Sequence, residues 1–257
     1  MADLSGKHAL VVGVANKRSI AWAIAQALSG AGARLALTYP SARLEENVRE
    51  LAASLEQPLI LPCDVSSDQQ IGEMASAIEK EFGGLDILVH GAAFAPAEEL
   101  SAPFSQTTRE GFRIALDVSA YSFIALAREA RPLMQKRGGG SILTLTYLGS
   151  ERVFKNYNVM GVAKAALESS VRYLAADLGA DNIRVNAISA GPIQTLAARG
   201  ISGFSNILGV YRERSPLARN IDASEVADAA LFLLGPAGRG ITAEVLMVDA
   251  GFHAIGF

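Results

Sequence analysis

Tyr157 and Lys164 stand seven positions apart in NYNVMGVAKAALESSVRYLAADL, a stretch with helical periodicity. At ~100° per residue, seven steps fall roughly 20° short of two full turns, so on one continuous helix both side chains would share a face about 10 Å apart along the axis. Helical side chains lean toward the N-terminus, so the Lys164 stem would carry its ammonium back toward the phenol. A phenol of reference pKa ~10 keeps its proton at neutral pH and can meet negative charge developing on a carbonyl oxygen, as a hydride-transfer site requires. The same spacing also fits a half-buried aromatic beside a snorkelling surface lysine, so its meaning depends on the scaffold around it.

That scaffold is written as alternation. HALVVGVA, RLALTYP, LILPCDV, LDILVHGAA, SILTLTYL, IRVNAISAG and EVLMVDAG are seven short, nearly continuous apolar runs, as expected of strands buried on both faces. Amphipathic stretches separate them. In the first, Ile20, Ala23, Ile24, Ala27 and Leu28 make one apolar face, and TTREGFRIALDVSAYSFIALAREARPLM reads as one long helix. Strands alternating with helices over short connections predict right-handed crossovers and a single α/β domain over 1–257. This is a doubly wound, Rossmann-like, seven-stranded parallel sheet with helices on both faces. The one long connection, residues 193–216, reads as one or two short helices that could form a lid or simply fill space beside the sheet.

Ligands on such a sheet bind outside the carboxyl ends of the strands, where the winding reverses. The first strand runs through Gly13, Asn16 and Ser19 into a helix at Ile20. Backbone N–H groups and the Ser19 hydroxyl can there meet a pyrophosphate at the positive helix end, although the G-x-G-x-x-G fingerprint is absent. Asp64 and Val65 close the third strand with a carboxylate able to accept from an adenine amino group. His90-Gly91-Ala92-Ala93 closes the fourth with small residues that leave room for a ribose. The second strand ends in Thr38-Tyr39-Pro40-Ser41, with no acid for a ribose 2′-OH, so NADH and NADPH both stay open; Arg43 is either a 2′-phosphate contact or a solvated helix residue.

A net charge of −3 with scattered charges gives no basic stripe for nucleic acid and no polybasic patch for an anionic membrane. With no signal-like N-terminus and no apolar run approaching ~18 residues, the expectation is a soluble, cytoplasmic protein. Cys63, the single cysteine, sits in an apolar run and reads as a buried structural thiol. His8, His90 and His253 lack metal-ligand spacing and read as packing or cofactor-edge residues.

Several segments together carry a resemblance: LSGKHALVVGVANKRSIAWAIAQAL, the CDV at 63–65, VHGAAFAP at 89–96, TREGFRIALDVSAYSF at 108–123, LTLTYLGSERVFKNYNVMGVAKAALE at 143–168 and RVNAISAGPIQTLAA at 184–198. They resemble the enoyl-acyl-carrier-protein reductases, a divergent branch of the short-chain dehydrogenase/reductase superfamily. The most specific feature is Tyr157-x6-Lys164 with Tyr147 ten residues upstream, where ordinary superfamily members have Tyr-x3-Lys. The resemblance implies NADH-dependent reduction of the trans-2,3 double bond of an acyl chain on acyl carrier protein, by a homotetramer. It places the active-site tyrosines at Tyr147 and Tyr157 and the cofactor-binding lysine at Lys164. Nucleotide contacts fall at Gly13, Ser19, Ile20, Asp64, Val65, Ala92, Ile193, Gln194, Thr195, Leu196 and Ala197, and the acyl site at Ala95. Leu196, Ile201, Phe204 and Ile207 would complete an apolar slot. Two positions depart: Pro40 stands where Gln is found, which removes an adenosine-ribose contact, and Ala93 stands where Gly is common. Two rivals remain in view, an NAD(P)H-dependent short-chain dehydrogenase acting on a ketone or alcohol and a catalytically silent NADH-binding protein.

Overall fold

Each of the seven apolar runs forms a strand: β1 His8–Val12, β2 Arg34–Tyr39, β3 Leu59–Pro62, β4 Ile87–His90, β5 Gly140–Thr146, β6 Ile183–Ala190 and β7 Val245–Val248. The structure, a computed structural model, describes residues 3–195 and 204–256. All strand pairings are parallel, in the order β3-β2-β1-β4-β5-β6-β7. The chain winds outward from β1 through β3, then returns to the far side of β1 to lay down β4. The reversal opens a crevice between the carboxyl ends of β1 and β4.

Alternate strand residues face opposite layers. Leu10, Val12, Leu88 and Ile142 pack beneath α3 (Asp68–Phe82), α6 (Ser122–Gln135) and α7 (Val159–Leu178). Ala9, Val11, Val89, Leu143 and Ile188 pack beneath α1 (Ile20–Gly30), α2 (Ala42–Ala52) and α9 (Ala223–Leu234). Full burial of each large aliphatic side chain here stabilises the fold by roughly 1.5–3 kcal/mol, which is what makes the strand ends a firm platform. Short polar side chains start the helices: Ser19 caps α1, Ser67 caps α3, and Asp222 with Glu225 forms a capping box on α9.

The stretch read as one long helix is interrupted. After a short α4 (Ala97–Ser101) come α5 (Arg109–Leu116), a π-helical turn over Asp117–Tyr121, and α6. The turn follows from tertiary bonds that periodicity does not show. Ser119 Oγ accepts from Phe94 N and donates to Phe94 O just beyond β4, while Ser122 Oγ donates back to Val118 O. Within the 193–216 connection, α8 spans Phe204–Arg214. No helix among the described residues is long and apolar enough to cross a membrane, and no group of three or more His, Cys, Asp or Glu among them could hold a metal ion.

Candidate active site

Gly13 directly follows β1, Asp64 and Val65 follow β3, Ala92 and Ala95 follow β4, Tyr147 follows β5, and Ile193, Gln194 and Thr195 follow β6. Residues predicted from five separate segments thus gather along one edge of the sheet. Leu196, Ala197 and Ile201 lie outside the described residues, and Phe204 opens α8.

Tyr157 departs from the sequence expectation. It does not sit on the helix that carries Lys164, because α7 begins only at Val159 and Asn158 has φ 39°, ψ −118°. Tertiary contacts override the helical pattern. Asn158 Nδ2 donates to the carbonyls of Ala102 at 2.7 Å and Glu99 at 3.3 Å, pulling the turn toward α4. The Tyr157 ring lies against Gly149, where a Cβ would come within 2.5 Å of Tyr157 Cδ1, and a Cβ at Gly161 would meet Gly149 O at 2.7 Å. Those two glycines let the turn after β5 and the start of α7 touch. The consequence is a direct contact between the two tyrosines: the Tyr147 and Tyr157 rings meet edge-to-face, centroids 5.1 Å apart and planes at 72°.

Lys164, in the second turn of α7, is only 6% exposed, and its Nζ donates to Leu145 O at 2.8 Å, two residues before Tyr147. One turn further, buried Glu168 accepts from Thr146 Oγ1 at 2.5 Å. Burial pulls the Lys164 pKa down to about 8, while the Glu168 charge opposes that shift and favours the ammonium. Burial pushes the Tyr147 phenol well above its ordinary range, with the neighbouring Tyr211 adding to the effect. Burial does the same to Tyr157, helped by Tyr147 and Glu168. Both phenols therefore keep their protons at neutral pH and can act as hydrogen-bond donors.

The nucleotide side is made chiefly of backbone. Gly13 has φ +96°, and a Cβ there would come within 2.5 Å of Gly91 C and O, so the turns after β1 and β4 meet backbone to backbone. The close approach expected of Gly13 is thus made in part to Gly91. Ser19 Oγ donates to Asn16 O and accepts from Trp22 N, closing the loop onto α1. The first turn of α1 carries no acidic residue, which leaves its positive end available to a phosphate. Asp64 Oδ1 accepts from Ser66 N and Oγ, which fixes the carboxylate at the carboxyl end of β3. A cradle that no side chain could enter, an uncompensated helix start and a fixed carboxylate suit a dinucleotide.

His90 belongs to the core: its ring nitrogens lie 2.8 Å from Thr144 Oγ1 and 2.9 Å from Ser122 Oγ, and burial lowers its pKa to about 3, so the ring is neutral. Burial raises the Cys63 thiol to about 11, which leaves it protonated and inert. Three participants escaped sequence reasoning. Glu168 was legible, since it lies four residues beyond Lys164 on the same helix. Phe154, with its ring 4.9 Å from Tyr147, and Tyr211 arrive through tertiary packing that leaves no periodic signal. Ile207, expected at the acyl site, lines an apolar recess with Phe154, Val210 and Tyr211.

A sequence model described as enoyl-(acyl carrier protein) reductase matches residues 13–253. The NADH-dependent enoyl-acyl-carrier-protein reductase of Bacillus cereus is 53% identical over the whole of both chains, and the NADPH-dependent enzyme of Staphylococcus aureus is 49% identical over 99% of this chain and all of its own. The crystal structure of the Bacillus cereus enzyme with NADP+ and an indole naphthyridinone superposes with a TM-score of 0.97 at 52% identity, covering both chains fully. That of the Anaplasma phagocytophilum enzyme with NAD gives 0.96 at 47% identity, over 100% of this chain and 98% of the other.

Proposed function

This chain belongs to the enoyl-acyl-carrier-protein reductase family, and from that premise we propose that Tyr157, Tyr147 and Lys164 are the groups with which it works. The reaction is reduction of the trans-2,3 double bond of an enoyl thioester on acyl carrier protein, the final step of each fatty acid elongation cycle, with NADH or NADPH as reductant. The observation that carries the assignment of residues is the edge-to-face contact of two partly buried, protonated phenols, with the buried Lys164 donating to Leu145 O two residues before one of them.

When bound, a reduced nicotinamide would supply the hydride that C3 of the acyl chain receives. As the C2=C3 π bond breaks, charge develops two carbons away, on the thioester oxygen, and uptake of a solvent-derived proton at C2 completes the reduction. Tyr157 donates a hydrogen bond to that oxygen, preorganised by the packing of its ring against Gly149 and Tyr147. Tyr147 donates to the same carbonyl from the adjoining wall. Lys164 holds the nicotinamide ribose hydroxyls and adds positive charge at longer range, and Glu168 favours its ammonium form. Gly13, Ser19, Ile20, Asp64, Val65, Ala92 and the stretch Ile193 to Ala197 hold the rest of the dinucleotide. Ala95, Leu196, Ile201, Phe204 and Ile207 receive the acyl chain, with the 193–216 segment covering it and excluding water.

A spectrophotometric assay of NADH and NADPH oxidation with crotonyl and dodecenoyl thioesters tests reaction, reductant and chain length together. Turnover of acetoacetyl thioester or a secondary alcohol in place of the enoyl substrates would overturn the reading. The protein further works as a homotetramer in this proposal, which rests on exposed Phe112, Tyr121, Ile124 and Tyr173 along α5 to α7 and on the half-buried edge strand β7. Light scattering that gives the mass of a single chain would reject the assembly.

A further inference from the structure

α8 delivers a third phenol to the site. Tyr211 is 2% exposed, and its hydroxyl lies 3.3 Å from the Tyr147 hydroxyl, within hydrogen-bonding distance. Its ring stacks on Phe252, with centroids 3.6 Å apart and planes at 15°, and Phe154 lies 6.5 Å away on another side. Arg152, in the loop after β5, donates to the carbonyls of His253 at 2.7 Å and Ile255 at 3.0 Å, which ties the turn bearing Phe252 to the loop bearing Phe154. The aromatic frame therefore fixes where the Tyr211 oxygen sits.

The Tyr147 ring is held by the same Phe154 at 4.9 Å and by Tyr157 at 5.1 Å. Ring packing leaves one freedom unset, the torsion of the Tyr147 O–H bond. A phenol has one proton and two lone pairs, so when Tyr147 accepts from Tyr211 its own proton stays free for another acceptor. Accepting a hydrogen bond also polarises the O–H bond and strengthens its donation in a poorly hydrated site. We propose that Tyr211 is a positioning residue that holds the Tyr147 hydroxyl with its proton directed at the thioester carbonyl. The inference rests on the reading of Tyr147 as a substrate donor.

A kinetic cycle on the full-length enzyme tests it, using Tyr211→Phe, Tyr147→Phe and the double variant. Phenylalanine keeps the stack on Phe252 and removes one oxygen only. Tyr211→Phe should lower kcat/KM for the enoyl thioester about three- to tenfold with the KM for NADH unchanged, as expected for loss of one hydrogen bond. In the Tyr147→Phe background the same change should cost less than about twofold, since its effect runs through the missing hydroxyl. A packing role alone would leave the two losses independent, and losses that multiply would overturn the proposal, as would parental activity in Tyr211→Phe. If Tyr147→Phe loses activity while Tyr211→Phe does not, the proposal fails and the donor reading stands. Parental activity in Tyr147→Phe would remove both.

Discussion

The two halves of the crevice are built from different materials. On the side of β1 to β4, the surface meant for the dinucleotide is backbone closed by short polar side chains: Gly13 against Gly91, Ser19 on Asn16 and Trp22, Asp64 on Ser66. On the side of β5 and α7, the surface meant for chemistry is made of large side chains from distant parts of the chain: Tyr147 meets both Tyr157 and Tyr211, and the buried Lys164 and Glu168 bond to Leu145 and Thr146 just ahead of it. A phosphate needs many weak, evenly spread donors, which any backbone supplies at a helix start. A developing enolate needs one donor at one place, which only a particular side chain supplies. The first half should tolerate side-chain change and fail on backbone change, whereas the second should fail on loss of a single side chain.

Tyr157→Phe is the hardest test. Turnover should fall about 10²-fold or more while NADH affinity, measured by fluorescence titration, stays within about twofold. Equal losses in both would show that the halves cannot be separated. Gly13→Ala attacks the other side: a left-handed backbone costs roughly 1–3 kcal/mol for a residue with a Cβ, and the new methyl would press on Gly91. NADH binding should weaken about tenfold or more with a lower melting temperature, and a variant that binds like the parent would refute the backbone cradle.

Acidity gives a third test. The Lys164 ammonium titrates near 8 in the folded free protein, against 10.5 ordinarily. Capture of NADH, as kcat/KM, should therefore decline as pH rises through about 8. The stability term has the opposite sign. Between about 8 and 10.5 the unfolded chain binds the proton that the folded chain has released, so the contribution of Lys164 to stability rises with pH. Denaturant midpoints and initial rates measured across that window check both signs. Ser19→Ala should do least, costing about 1 kcal/mol through the lost cap on α1, and urea unfolding would show it.

Where the architecture is repeated locally, the sequence was easy to read. All seven strands appear at the apolar runs, because a strand buried on both faces has little choice of composition. The strand-end residues followed, since topology alone puts them on one edge. What depends on contacts between remote segments stayed hidden. The π turn at Asp117–Tyr121 answers to Phe94, and the non-helical Tyr157 answers to Ala102, Glu99 and Gly149. Tyr211 meets Tyr147 across 64 positions. A helical pattern extrapolated through NYN put Tyr157 on the helix of Lys164, whereas Asn158 takes a positive φ, which Asn tolerates, and the helix begins only at Val159.

The contact of Gly13 with Gly91 has a bearing on how this protein could be altered. Main chain pressed on main chain leaves no slack, so the base of the crevice cannot broaden to admit an extra phosphate. On the proposed placement of the dinucleotide, a switch of reductant would be written at the exposed rim beyond β2, around Pro40, Ser41 and Arg43. That rim belongs to neither the phenols nor the lysine. The choice of electron donor can drift from lineage to lineage, or be redesigned at the bench, while the reducing machinery is inherited intact.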